Sequence, residues 1–253
     1  MAEDMPVLIL AGGKGMRMRD YSDTIPKALV PIGPYPVIVH VMKIYSFYGF
    51  RKFVIAIGHK GSMIRDFFTN PDSKEAKEWR DFEIIFSETG EDTNTGGRVK
   101  RSEKHLGDSF FATYCDGLAD VNIRKLLAYH MAHGKAGTLT AVHTMSPFGM
   151  VEIGKDGAVT AFKEKPFLPG YINGGFFAFN KKVLDYLDDG CVLEEAPLRK
   201  MTADGELAAY RHEGFWTAMD TAKDVDRLNA LWRTGVMPHT DFRGRPPWTH
   251  LEE

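Results

Sequence analysis

The residues best suited to chemistry stand near the start of the chain. Leu8-Ile9-Leu10-Ala11-Gly12-Gly13-Lys14-Gly15-Met16-Arg17-Met18-Arg19 runs from an apolar strand into a glycine-rich loop, and Pro26-Lys27 follows. Glycine lets a backbone approach a ligand closely. Consecutive N–H groups in such a loop form a concavity that binds anions. Arg17, Arg19 and Lys27 add charge-assisted donors for phosphate oxygens. A strand that feeds this loop and three cations points to a nucleotide polyphosphate. Two commoner phosphate motifs are excluded: no G-x-x-x-x-G-K-[ST] follows, and no G-x-G-x-x-G opens a helix.

Two carboxylates stand where a ligand crevice is expected. Asp116, in Tyr114-Cys115-Asp116-Gly117, directly follows an apolar strand. Asp220, in Met219-Asp220-Thr221, precedes the last predicted helix, with Trp216 anchoring the segment. Together they can hold Mg²⁺ or Mn²⁺; magnesium takes oxygen ligands and keeps waters and substrate phosphates in its shell. The competing readings are a turn residue before Gly117 and a helix N-cap. A further cation lies in Phe162-Lys163-Glu164-Lys165-Pro166. Lys163 and Lys165 share one side of an extended segment, so periodicity leaves both open. Pro166 steers the residue before it away from helix, which favours Lys165 over Lys163; a solvated turn lysine is the alternative. Asn173-Gly174-Gly175 offers an amide and a small backbone to sugar hydroxyls.

The elements that must carry these residues alternate strand and helix. Strands are predicted at 7–11, 52–57, 82–86, 109–114 and 138–143, with helices at 37–48, 61–68 and 123–133. Glycines at 49 and 134 close two of the helices. This order implies a mostly parallel sheet with helices on both faces, a three-layer α/β/α Rossmann-like arrangement. Ligands then bind beyond the carboxyl ends of the strands. Gly154-Lys155-Asp156-Gly157 between two short apolar runs is a hairpin signal, and a small antiparallel lobe is expected near 148–180. Later elements are a strand at 172–180, helices at 181–187, 197–203 and 222–232, and a strand at 207–212. Neither repeat nor linker interrupts residues 1–253, so a single domain is expected, with an irregular tail over 237–253.

The bulk figures narrow the partners. The chain has 253 residues, 43% hydrophobic, with a net charge of −2. That charge gives no global basic footprint for nucleic acid. The two cysteines, Cys115 and Cys191, have neither metal nor disulfide spacing and read as small buried hydrophobes. No apolar run approaches the ~20 residues that span a membrane, and the acidic start does not resemble a signal peptide. These features point to a cytoplasmic protein with small-molecule partners; a homo-oligomer is allowed.

Taken in order, the motifs resemble the sugar-1-phosphate nucleotidyltransferase family, and most the glucose-1-phosphate cytidylyltransferase branch. The matching text is Leu10-Ala11-Gly12-Gly13-x-Gly15-x-Arg17, Pro26-Lys27, Thr93-x-Thr95-Gly96-Gly97-Arg98, Tyr114-x-Asp116-Gly117, Glu164-Lys165-Pro166, Ile172-Asn173-Gly174-Gly175-Phe176-Phe177, Gly214-Phe215-Trp216 and Met219-Asp220-Thr221. It covers roughly residues 6 to 233. The resemblance implies that the loop from Leu10 to Gly15 holds nucleotide phosphates, with Arg17 and Lys27 neutralising them. It makes Asp116 and Asp220 the metal ligands and Lys165 the contact to the sugar phosphate. Thr95, Gly96, Gly97 and Arg98 fall where the family surrounds the base, and Glu164, Asn173, Gly174 and Gly175 at the sugar.

Two departures are visible. Met16 replaces the family's loop threonine and cannot donate a hydroxyl hydrogen bond. The family's short ending survives only as Pro246-Pro247-Trp248 after an insertion. The expected reaction joins a nucleoside triphosphate to a sugar-1-phosphate, giving a nucleotide-sugar and pyrophosphate. Such chemistry asks mainly for positioning and electrostatic stabilisation. Met16 raises an alternative on the same scaffold, a metal-dependent nucleotide-sugar isomerase such as a flavin-independent pyranose–furanose mutase. A non-catalytic sugar-nucleotide binder is the third reading.

Overall fold

The apolar runs pair into one seven-stranded sheet in the computed structural model, which describes residues 5–18, 24–70, 76–237, 240 and 242–252. In chain order the strands are β1 (Val7–Leu10), β2 (Pro31–Ile32), β3 (Tyr35–Pro36), β4 (Lys52–Ile57), β5 (Glu83–Glu88), β6 (Ser109–Tyr114), β7 (Gly117–Ala119), β8 (Gly137–Val142), β9 (Met150–Ile153), β10 (Val159–Lys163), β11 (Ile172–Asn180), β12 (Leu207–His212) and β13 (Trp216–Ala218). The α-helices are α1 (Val37–Phe47), α2 (Gly61–Thr69), α3 (Thr95–Arg101), α4 (Ile123–His133), α5 (Ala196–Ala203) and α6 (Ala222–Thr234). The large sheet runs β12-β8-β11-β6-β1-β4-β5. β11 is antiparallel to both its neighbours, and every other pairing in the sheet is parallel.

The strands read as unbroken apolar runs because both faces are covered, as buried parallel strands require. Val7 and Ile9 of β1 join the core on one face, with Phe53 and Ile55. Leu8 and Leu10 join the core on the other, with Val54, Phe177 and Phe179. Helix ends follow the predicted glycines. Gly49 takes φ 94° just past α1 and Gly134 takes φ 64° at the C-cap of α4; Gly235, for which no such role was expected, caps α6 at φ 67°.

Local details differ from expectation at four points. β11 belongs to the main sheet, so the antiparallel lobe shrinks to the β9–β10 hairpin. Phe176 to Phe179 are buried alternately in the two cores, which holds the strand in the sheet centre. Residues 181–186 form a 3₁₀ rather than an α-helix. The tail is docked: Trp248 is buried, and its indole N–H donates to His40 Nδ1 at 3.3 Å. Cys115 is buried as expected, whereas Cys191 is half-exposed.

Candidate active site

The candidate residues meet along one edge of the sheet. β1, β4, β5 and β6 run the same way, so the loops after Leu10, Ile57, Glu88 and Tyr114 leave from one side. β11 runs the other way, so its start at Ile172-Asn173-Gly174 returns to that edge.

Lys27, Asp116 and Asp220 converge there. The short β7–β13 pair sets Gly117 opposite Ala218, and the Met219 N–H donates to the Asp116 carbonyl at 3.0 Å. This places the two aspartates side by side. Lys27 opens a 3₁₀ turn after Pro26. Its ammonium bridges Asp116 Oδ2 and, at 2.8 Å, Asp220 Oδ1. The three side chains are only 14%, 17% and 33% exposed. Burial works against the lysine charge, but the two carboxylates outweigh it and hold the ammonium above the ordinary lysine range. Asp220 is not a cap. Thr221 caps α6, and Asp224 reciprocates in a capping box.

The donor set suits a hard divalent ion. Both carboxylates offer oxygen and already share one cation. Among the described residues no group of three or more His, Cys, Asp or Glu could hold a metal. A Mg²⁺ there would therefore draw its remaining ligands from water and phosphate, its usual habit.

The glycine loop is braced from below. Arg98 of α3 is 3% exposed. It donates from Nη2 to the Gly12 carbonyl at 2.8 Å, and from Nη1 to Thr89 Oγ1 at 2.6 Å and the Gly90 carbonyl at 2.9 Å. A Cβ at Gly12 would collide with this guanidinium, so only glycine fits. The Gly96 and Gly97 N–H groups both donate to the Cys191 carbonyl. Arg98, Gly96 and Gly97 thus fix the shape of the site through protein partners. Gly13 and Met16 are exposed, Met16 by 71%, whereas Met18 is buried in the core. The Arg17 side chain and all of Arg19 lie outside the described residues.

At the start of β11, Trp216 Nε1 donates to the Gly174 carbonyl at 2.8 Å, and Asn173 Oδ1 accepts from the Gly175 N–H at 2.9 Å. Gly175 has φ 77°, and a Cβ there would strike the Tyr114 ring. Lys165 departs from the expected extended backbone: its φ is 47°. That left-handed conformation costs a non-glycine residue roughly 1–2 kcal/mol, and such strain gathers at functional sites. Its side chain is 27% exposed and lies 3.5 Å from Glu164 Oε1. Lys163 is 65% exposed and pairs with Glu152 on the hairpin. Burial and strain thus separate the two lysines that periodicity left open.

Sequence reasoning missed Glu194. Its carboxylate accepts from Thr95 Oγ1 at 2.6 Å and from the Tyr114 hydroxyl, joining the start of α3 to the end of β6. No motif surrounds it, and only the fold brings it there. Burial, with Asp116 beside it, pushes the Cys115 thiol up to about 12, so it supplies no thiolate nucleophile.

Residues 6–234 match the family model described as Nucleotidyl transferase. The chain belongs to that family. It is 41% identical over 251 residues to the Bacillus subtilis protein named "Probable glucose-1-phosphate cytidylyltransferase", an overlap of 91% of this chain and 97% of the relative. It is 38% identical over 256 residues to the glucose-1-phosphate cytidylyltransferase of Salmonella typhimurium, covering 92% and 98%. The fold is that of HddC from Yersinia pseudotuberculosis, solved in complex with GMP-PN: the TM-score is 0.70 at 22% identity, with 90% of this chain and 100% of that one covered. This nucleotidyltransferase is an enzyme of nucleotide-sugar synthesis, acting on a nucleotide and a sugar phosphate. Among the described residues no helix is long and apolar enough to cross a membrane.

Proposed function

We propose that the enzyme joins CTP to a hexose-1-phosphate, most simply glucose-1-phosphate, releasing pyrophosphate and a CDP-hexose. The single observation that carries the chemistry is the convergence of Lys27, Asp116 and Asp220 at the carboxyl edge of the sheet, beside the glycine loop. The cytidylyltransferase relatives, matched over nearly their whole length, support the choice of base and sugar.

A phosphate oxygen of the sugar-1-phosphate attacks the α-phosphorus in line. The bond from the α-phosphorus to the bridging oxygen breaks, and pyrophosphate leaves with that electron pair. The attacking phosphate is already ionised, so no general base is needed. The protein contributes positioning and cationic stabilisation. The loop from Gly12 to Gly15 presents backbone N–H groups to the triphosphate; Leu10 ends β1, and the Ala11 N–H is taken by the Ala56 carbonyl at 3.0 Å. Lys27 stays protonated at working pH and supplies charge beside the α-phosphate. Lys165 steers the sugar phosphate, while Asn173 and Gly174 shape the hexose subsite. Asp116 and Asp220 would hold Mg²⁺ or Mn²⁺, which when bound supplies further charge neutralisation on the phosphates.

The test is a competition assay with CTP, UTP, GTP and dTTP at equal concentration, glucose-1-phosphate, Mg²⁺ and product identification by mass spectrometry. CDP-glucose should dominate; a different base on the main product would overturn the base assignment. Met16→Thr should change the rate by no more than a few-fold, because Met16 stands in solvent. No observation favours the isomerase reading.

A further inference from the structure

Glu194 lies in the segment that leads into α5, and that segment is gripped from one side. Leu193 is fully buried. The Cys191 carbonyl accepts from the Gly96 and Gly97 N–H groups at 3.1 and 3.2 Å. A Cβ at Gly96 would collide with Cys191 Sγ, so the segment rests directly on α3. The Glu194 carboxylate is therefore placed, although the residue itself is exposed. Its hydrogen bonds come from two hydroxyls, Thr95 Oγ1 at 2.6 Å and that of Tyr114, and among the described residues it forms no ion pair.

A carboxylate only accepts, so it turns both hydroxyl protons toward itself. Thr95 Oγ1 keeps a lone pair for the Leu193 N–H, at 2.9 Å. Tethering the Tyr114 hydroxyl fixes its ring, and the ring supports an irregularity in β11. The register of β11 against β8 shifts between Asn173 and Phe177. A bulge of this kind re-aims side chains, and bulges gather beside active sites. Gly175, inside it, is pressed so closely on the Tyr114 ring that a Cβ would strike the ring. The Asn173 amide stands beside the Tyr114 hydroxyl, and its Oδ1 holds the Gly175 N–H.

We propose that Glu194 is a positioning residue for nucleotidyl transfer: through Tyr114 it sets the Asn173-Gly174-Gly175 bulge against the sugar phosphate, and through Thr95 it holds that bulge at a fixed distance from α3. The proposal rests on the reading of Asn173 and Gly174 as the hexose subsite. Its sign separates it from a plain charge effect. An unpaired carboxylate at this edge repels phosphates, so by charge alone Glu194→Gln should tighten sugar-phosphate binding. Positioning predicts the reverse. A glutamine amide presents an N–H donor to one of the two hydroxyls and loosens the tether.

The experiment is steady-state kinetics on the full chain with glucose-1-phosphate, Mg²⁺ and CTP, read by pyrophosphate release. If another triphosphate is the faster substrate of wild type, it replaces CTP. Glu194→Gln should raise the KM for glucose-1-phosphate about ten-fold, the worth of one hydrogen bond, with kcat within about three-fold, the pattern of lost uniform binding. Tyr114→Phe should do the same. The double variant should be no worse than the worse single variant, because Glu194 acts on the bulge only through Tyr114. All variants should keep the wild-type far-ultraviolet spectrum. A KM for Glu194→Gln at or below that of wild type, or effects that multiply in the double variant, would overturn the proposal. Asn173→Ala separates the two levels. An unchanged KM there would remove the hexose subsite on which the proposal rests. A raised KM there with an unchanged one in Glu194→Gln would overturn the positioning role alone.

Discussion

Replacing Lys27 with methionine separates its two roles. In the ligand-free protein its ammonium is the shared partner of Asp116 and Asp220, and all three side chains are at least two-thirds buried. Methionine keeps the bulk of the stem but removes the cation that Asp116 and Asp220 share. Removing one partner of a fully buried ion pair costs 3–5 kcal/mol. Asp220 is one-third exposed, so water offsets part of the loss, and about 2–3 kcal/mol is expected here. For a chain of this length that lowers the melting temperature by about 5–10 °C. The same vacated carboxylate pair becomes a better divalent-ion site, since its competing cation is gone. Thermal unfolding of Lys27→Met followed with and without Mg²⁺ should show both effects: a lower midpoint, and a Mg²⁺-dependent recovery larger than in wild type. A variant as stable as wild type would refute the bridging role. A variant whose midpoint ignores Mg²⁺ would refute the carboxylates as metal ligands.

Three further outcomes are expected. His40 is buried and neutral, donating from Nε2 to the Ile32 carbonyl and accepting from Trp248 at Nδ1, and burial pulls its pKa down to about 4 from 6.5. The unfolded chain therefore binds the extra proton first, and stability falls as pH drops from about 6.5 to 4, by up to about 3 kcal/mol from this group. Urea unfolding across that range should lose this slope in His40→Gln. Lys165→Gly should melt above Lys165→Ala, because glycine relieves a left-handed strain of roughly 1–2 kcal/mol, while both lose affinity for sugar-1-phosphate in a KM measurement. Arg98→Ala leaves the Gly90 carbonyl without its donor, while the Gly12 carbonyl keeps the His59 N–H at 3.1 Å; a loss of about 1–3 kcal/mol for the unsatisfied group is expected, read by thermal unfolding, with Arg98→Lys recovering only part of it.

Much of the sheet was legible because strands buried on both faces must be apolar throughout, as Leu8-Ile9-Leu10 and Phe53-Val54-Ile55 are. Helix ends were legible where glycine supplies a left-handed cap. Helix α3 was not, since Thr95-Gly96-Gly97 is poor helix text; its opening turn forms because both glycine N–H groups reach the Cys191 carbonyl. The strand β11 follows the hairpin in sequence, and nothing local says that it crosses into the main sheet. The glycine loop, the two aspartates and the lysines carry local signals, so the site could be assembled residue by residue. Its internal wiring could not. Lys27 and Asp220 are 193 positions apart, and Thr95 and Glu194 are 99 apart. No spacing rule reaches that far. The left-handed backbone of Lys165 ran against the local preference before proline, which tertiary context overrode.

The central claim is nucleotidyl transfer from CTP, and phosphorus NMR tests it most directly. Wild-type enzyme mixed with CTP, glucose-1-phosphate and Mg²⁺ should show the triphosphate resonances replaced by those of pyrophosphate and a CDP-hexose diester. Asp116→Asn should leave the starting spectrum almost unchanged over the same time. A wild-type spectrum that stays that of CTP and glucose-1-phosphate, from protein shown to be folded, would contradict the account.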